Sequence, residues 1–210
     1  MKLFTATLLA LGTATAAPAA TYTLETNYTQ AVFRWDHLGF SNPAAQLAQG
    51  TGRLEFDAMN PAMSRVEVTF PLSTLATGVP DLDEHLKSED FFEIAKYPTA
   101  TFTSTKVEAG MGAGKFKVTG NLTLHGITRP VTLDATLLKT GNNARTGVAS
   151  VGFDATATIR RSDFGLGAYV PQVGDEVRIQ LTTQGAEAKA LAAYRQKQED
   201  DNKKKTVEQK

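Results

Sequence analysis

The 210-residue chain has no cysteine. That excludes disulfides, thiolate zinc sites, iron–sulfur clusters, cysteine nucleophiles and c-type haem attachment in one step. Histidine is scarce: His37, His85 and His125 are the full set. No His-x-His or His-x-x-x-His spacing occurs, so a zinc site would have to gather ligands from three distant segments. Charge of one sign is not in excess, with 22 Lys plus Arg against 22 Asp plus Glu. Nucleic-acid binders show a basic excess or stripe, and polybasic membrane-surface proteins a cationic cluster; the balance argues against both. A Gly-x-Ser-x-Gly nucleophile elbow is missing. So is a phosphate-cradling glycine loop before a helix, since the GMGAG run at 110–114 separates two strand patterns.

Apart from the first residues, no apolar run approaches the ~20 residues that span a bilayer as a helix. The N-terminus reads MKLFTATLLALGTATAAPA. Lys2 is followed by an uncharged, mostly apolar stretch from Leu3 to Leu11, then by two Ala-x-Ala patterns ending at Ala16 and Ala19. That is the pattern of a secretory signal peptide over residues 1–19. The expectation is export, with a bacterial periplasm the best fit.

What remains alternates with period two almost throughout 21–183. Ala31, Phe33, Trp35 and His37 share one face, opposite Gln30, Arg34 and Asp36. Leu54 and Phe56, then Val66, Val68 and Phe70, repeat the pattern. So do Ala100 and Phe102; Phe116, Val118, Gly120, Leu122 and Leu124; and Val131, Leu133, Ala135 and Leu137. Val151, Phe153, Ala155, Ala157 and Ile159 follow, and Val177, Ile179 and Leu181 close the series. These runs predict eight or nine antiparallel strands, apolar inside and Thr-rich outside, joined by turn signals such as Asn60-Pro61 and His125-Gly126. A sandwich or a barrel would satisfy the pattern; runs of nine or ten residues, longer than the usual ~5–6, favour a closed barrel. The fold class is therefore all-β: an antiparallel eight-stranded barrel, of the size that can hold one small ligand.

Two stretches depart from alternation. Residues 80–97 are polar and acidic, with Leu82, His85, Leu86 and Glu89 at helical spacing and Phe91-Phe92 as an apolar knob. A short helical insert near 81–97 is expected, placed to cap a barrel end. After Gly185 the chain turns helix-prone and highly charged, predicting a helical or disordered tail over 186–210, outside a barrel domain at 20–185.

Seven blocks stand in a recognisable order: Phe33-x-Trp35-x-His37-Leu38-Gly39; Gly52-x-Leu54-x-Phe56-Asp57; Ser73-x-Leu75-x-Thr77-Gly78; Asp83-x-His85-Leu86-x-Ser88-x-Asp90-Phe91-Phe92; Tyr97-Pro98-x-x-x-Phe102-x-Ser104; Gly120-x-Leu122-Thr123-x-His125-Gly126-x-Thr128-x-Pro130-Val131; and Arg161-Ser162-x-Phe164-Gly165. Together, from about Thr21 to Gly185, they resemble the YceI-like family of periplasmic polyisoprenoid-binding proteins. The resemblance implies a lipocalin-like barrel whose hollow holds a long apolar chain, such as an isoprenoid lipid, a quinone tail or a fatty amide. The family usually has Arg where this chain has Leu82, and the stretch FSNPAAQLAQGTG after Gly39 carries no basic residue before Arg53.

The residues expected to line a ligand chamber are Phe33, Trp35, Leu54, Phe56, Val68, Phe70, Phe102, Phe116, Leu122, Phe153, Ala157 and Ile179. His37, Asp83, His85 and Arg161 are the expected rim. Aromatic inward residues also suit a filled core, but the small inward residues Ala31, Ala100, Gly120, Ala135, Ala155 and Ala157 would leave room. For the Arg160-Arg161 pair, a solvent-exposed strand end with a local ion pair and a headgroup contact at the mouth stand equal. No resident cofactor or metal is expected. The partner is a long-chain lipid or quinone; a transient membrane contact and a homodimer stay open. Two other readings are a lipid-modifying hydrolase using His85 and Asp83, and a stress-induced barrel with a filled core.

Overall fold

The computed structural model describes residues 19–208, with side chains through residue 205. The signal-peptide segment, but for Ala19, lies outside the described residues. Ten strands run through the described residues: β1 (Ala20–Leu24), β2 (Gln30–His37), β3 (Ala44–Leu47), β4 (Thr51–Phe56), β5 (Arg65–Pro71), β6 (Thr99–Ala109), β7 (Lys115–Leu124), β8 (Ile127–Asn142), β9 (Ala149–Arg160) and β10 (Val173–Glu187). Two α-helices are described, α1 (Pro80–Lys87) and α2 (Ala188–Glu208).

The ten segments make eight staves. β1 and β2 are halves of one stave, interrupted by a 3-10 turn at Thr26–Tyr28, and both lie against β10. β3 and β4 form the next stave, β3 on β2 and β4 on β1. From β4 to β10 each strand pairs antiparallel with the next. Because β10 pairs with β9 on one side and with β1 and β2 on the other, the sheet closes. The barrel expected from long one-sided strands is found, and the sandwich alternative is not.

Parity sets the inside as expected: Leu24, Leu54, Phe56, Phe70, Ala100, Phe102, Phe116, Val118, Val151 and Ile159 are all buried. The alternation missed β3. Its AAQL sequence is short, follows Pro43 and carries only small and polar residues before Leu47, yet Ala45 and Leu47 are buried against β2. The turn at His125-Gly126 has both residues at positive φ, 51° and 71°. That is the hairpin geometry whose twist matches the flanking strands, and it joins Leu124 to Ile127 directly.

The helical insert is shorter than expected. Pro80 opens α1 at a position where its missing N–H costs nothing, and Asp81 and Asp83 stand in its first turn. It ends at Lys87, where the Ser88 hydroxyl donates to the His85 carbonyl at 2.7 Å. From there to Tyr97 the chain turns repeatedly, because Phe91, Phe92 and Ile94 are drawn onto the core that also buries Leu86. The tail expected over 186–210 starts two residues later, since β10 runs to Glu187, and is helical from Ala188 to Glu208. Leu191 and Tyr194 pack on Val148 and Ala186, while most other side chains stay in water.

Candidate functional site: an apolar chamber in the barrel

One end of the barrel is hollow. A cavity of about 550 Å³ lies between the inner faces of β2, β3 and β5 to β10, roofed by α1 and the turns after it, within the ~300–1,000 Å³ of small-molecule sites. Small residues on its wall, Ala31 and Ala100, leave space that larger ones would fill. Phe33, Trp35, Val68, Leu122, Val131, Ile179 and Leu181 point inward yet are not fully buried. A wall that faces empty space rather than a packing partner has that property.

The opposite end is plugged. Past a waist formed by Val68, Phe70, Phe102, Leu133 and Leu181 lies a smaller chamber of about 100 Å³. Here Phe56 meets Phe116 edge-on at 5.6 Å and Phe153 at 5.1 Å. Perpendicular rings match negative faces to positive edges, so this cluster satisfies itself without a ligand.

The opening is marked by lining residues that also reach water: His37, Leu38, Tyr169 and Gln172 are exposed. Leu38 and Tyr169 sit at positive φ, 60° and 62°, conformations that cost non-glycine residues energy and turn both side chains along the rim. The His85 ring lies edge-on to Phe91 at 4.9 Å and 6.4 Å from Tyr169.

Set against the sequence, the structure sorts the expected residues into four groups. Phe33, Trp35, His37, Val68, Phe70, His85, Phe102, Leu122, Arg161 and Ile179 line the large cavity. Leu54, Phe56, Phe116 and Phe153 line only the small chamber, in or beside the aromatic plug. Ala157 lines neither chamber, although its parity is inward. Asp83 is not a rim group either: its carboxylate accepts from the Thr77 backbone N–H and hydroxyl, both at 2.6 Å. Those bonds, the hydroxyl first, hold its carboxyl below the usual range. They use one oxygen of Asp83 to fasten the start of α1.

Sequence parity named the lining residues on the long strands. It missed Leu47 on β3, and Leu82, Leu86, Phe91 and Phe92 from the insert, all on the cavity wall. The signal for the latter was present: Leu82 and Leu86 are four apart, and Phe91-Phe92 is an apolar knob in acidic surroundings. Tyr169 and Gln172 lie in a loop without periodicity and had no sequence signal. Among the described residues no group of three or more His, Asp or Glu could hold a metal ion. His125 lies away from the chamber: its Nδ1 donates to the Phe164 carbonyl at 3.1 Å, and its Nε2 stands 3.6 Å from a Glu93 carboxylate oxygen.

Arg160 and Arg161 divide the two readings offered for them. Arg160 points out, largely exposed, and pairs with Asp175 at 3.0 Å. Arg161 points in and is 7% exposed. Its Nε donates to the Gly174 carbonyl at 2.9 Å, its Nη1 to the Leu166 carbonyl and to Ala168 at 2.8 Å, and its Nη2 to Val173 at 2.9 Å. Burial lowers its pKa and the nearby Asp175 only partly offsets this. The guanidinium thus organises the 166–174 loop, which forms one side of the mouth.

Comparison with known proteins agrees with this architecture. A family model described as a YceI-like domain matches residues 22–185. A UPF0312 protein of Pseudomonas paraeruginosa is 38% identical over 178 residues, covering 84% of this chain and 92% of that protein. The crystal structure of BcnA from Burkholderia cenocepacia superposes with a TM-score of 0.66 at 24% identity, covering 74% of this chain and 95% of BcnA. A polyisoprenoid binding domain from Saccharophagus degradans, implicated in plant cell wall breakdown, gives 0.60 at 17% identity, over 80% of this chain and 99% of that domain. At these identities the two structures establish the fold.

Proposed function

Since the chain belongs to the YceI-like family, we propose that it binds a long-chain amphiphile in the barrel cavity and carries or sequesters it in the periplasm. The observation that carries the reading is the 550 Å³ apolar cavity, open at the His37–Tyr169 end and plugged by phenylalanines at the other. Such a shape accepts a chain tail-first and leaves its head at the mouth. Each methylene moved out of water contributes about 0.8 kcal/mol. Ten of them supply roughly 8 kcal/mol before the cost of association. Isoprenoid lipids are the favoured occupants, on the strength of what the Saccharophagus domain is named for, and a quinone tail would fill the same space. The periplasmic assignment rests on Lys2, the apolar run behind it and the Ala-x-Ala patterns.

Native mass spectrometry of protein expressed with its leader and purified without detergent tests the reading. A discrete stoichiometric added mass, extractable into organic solvent, is the expected result. A clean apo mass that also takes up no added prenyl or acyl chain would overturn it and favour a barrel without a ligand.

A further inference from the structure

The cavity has a sign. Among the described residues that line either chamber there is no Asp and no Glu. The large chamber carries one permanent cation, Arg161, with two histidines, His37 and His85, also on its wall. Of the carboxylates nearest in sequence to the roof, Asp81, Glu84, Glu89 and Asp90 are exposed, half-buried Asp83 is bonded to Thr77 and half-buried Glu93 stands beside His125; none of them lines the cavity.

Arg161 is also incompletely answered. A guanidinium has five N–H donors, and four are taken, all by backbone carbonyls. One Nη2 hydrogen has no acceptor among the described residues. Nor does Arg161 pair with a carboxylate: Asp175 spends one oxygen on the Ser162 backbone N–H and the other on Arg160 and the Ser162 hydroxyl. Carbonyl dipoles satisfy hydrogen bonds but do not neutralise charge, and a buried cation without a counter-ion is costly. Asp175 acts on Arg161 only across space, and no carboxylate stands on the wall itself.

We propose, on the strength of the carrier reading above, that the cavity selects amphiphiles with an anionic head, a carboxylate or a phosphate, seated against Arg161 at the mouth. An anion there supplies a directly bonded negative partner and the fifth acceptor together. A neutral head supplies an acceptor only. A cationic head meets Arg161 with like charge in a place water does not screen well.

The test is a ladder of four C12 chains that differ only in the head: dodecanoate, dodecyl phosphate, dodecanol and dodecylammonium. Trp35 is the single tryptophan and lines the cavity, so its emission reports occupancy directly. At pH 7.5 at least one of the two anions should bind ten or more times tighter than the amine, with the alcohol between. Which anion binds tighter then names the head, carboxylate or phosphate. An amine bound within tenfold of both anions overturns the inference and leaves carriage standing. If none of the four binds, carriage itself fails, and the inference with it. Arg161→Gln, checked for fold by far-UV circular dichroism, should bring anion and amine to within threefold of each other. A folded variant that keeps the full ladder removes Arg161 from the role. The wild-type ladder decides charge selection even where Arg161→Gln does not fold.

Discussion

Phe102 separates the two chambers, and Phe102→Ala tests both the packing of the barrel and the continuity of its interior. The side chain is buried on β6 and lines the large cavity and the small one. Its ring lies on the backbone of Gly120 in β7: a Cβ built at Gly120 would stand 2.5 Å from the Phe102 Cζ. Truncating a buried Phe to Ala costs about 3–5 kcal/mol. One side of this ring already faces empty space, so the lower bound, about 3 kcal/mol, applies. With a urea slope of about 2 kcal/mol per molar, the midpoint should fall by roughly 1.5 M. The second effect concerns length. In wild type, affinity for a series of n-alkyl carboxylates should rise about fourfold per methylene and level off when the chain reaches the waist. With the waist opened, the rise should continue past that length. A midpoint shift below about 0.5 M would refute the packing argument. An unchanged plateau would show that the small chamber is not on the ligand's path.

Three further outcomes follow from the same geometry. Phe153→Asp places a carboxylate in the aromatic plug and should unfold the barrel or lower its melting temperature severely, whereas Asp154→Ser on the exposed face should stay within about 0.5 kcal/mol of wild type; equal behaviour in thermal melts would mean the register of β9 is wrong. Gly126→Ala forces a Cβ to 2.5 Å from the Tyr97 Cε1 at a φ of +71°, so a loss of about 1–2 kcal/mol is expected in urea titrations, and no loss would show that the hairpin adapts freely. For Asp175, burial raises the carboxyl, but the Ser162 N–H and hydroxyl and the Arg160 guanidinium outweigh it and hold the group below the ordinary range. A depressed folded pKa gives stability that is present above the unfolded value near 4 and is lost as pH falls through the folded one. Asp175→Asn should accordingly cost about 1–2 kcal/mol at pH 7, with the gap closing below about pH 4; a gap independent of pH would place the effect elsewhere.

The barrel was legible because one physical rule, the two-residue period of a pleated strand, acts on nearly every segment from β1 to β10. Where that rule lapses, so did the reading. β3 has too few large side chains to show a period, and the turns at 88–97 owe their path to where Phe91 and Phe92 find the core. The 166–174 loop has no pattern at all, yet it supplies the carbonyls around Arg161 and the rim residues Tyr169 and Gln172. Parity does place Arg161 inward, two residues past Ile159. What it cannot show is that backbone carbonyls gather to receive it, because those come from residues whose side chains are irrelevant to the contact. The same holds for Asp83: its place in a motif said nothing of Thr77, whose hydroxyl and N–H turn it away from the mouth.

Parity is equally silent on whether an inward face is packed or empty. Phe33 and Phe56 obey the same alternation, but Phe33 borders the cavity and Phe56 closes the barrel against Phe116 and Phe153. The difference lies in what each meets across the barrel. Phe56 meets rings that stand perpendicular to it at contact distance. Phe33 meets Phe92 and Trp35 at the longer separations of 6.2 and 6.1 Å and otherwise borders the cavity. Free volume is thus distributed unevenly along the axis, about 550 Å³ toward the mouth and about 100 Å³ behind the waist. The interior is therefore a blind tube rather than a pore or a filled core. Because the tube is blind, only one orientation lets an amphiphile bury its tail without burying its head, and that orientation brings the head to the end where Arg161 stands. The charge at the mouth and the plug at the base are for this reason a single device: the plug fixes which end the head occupies, and the guanidinium acts on whatever arrives there.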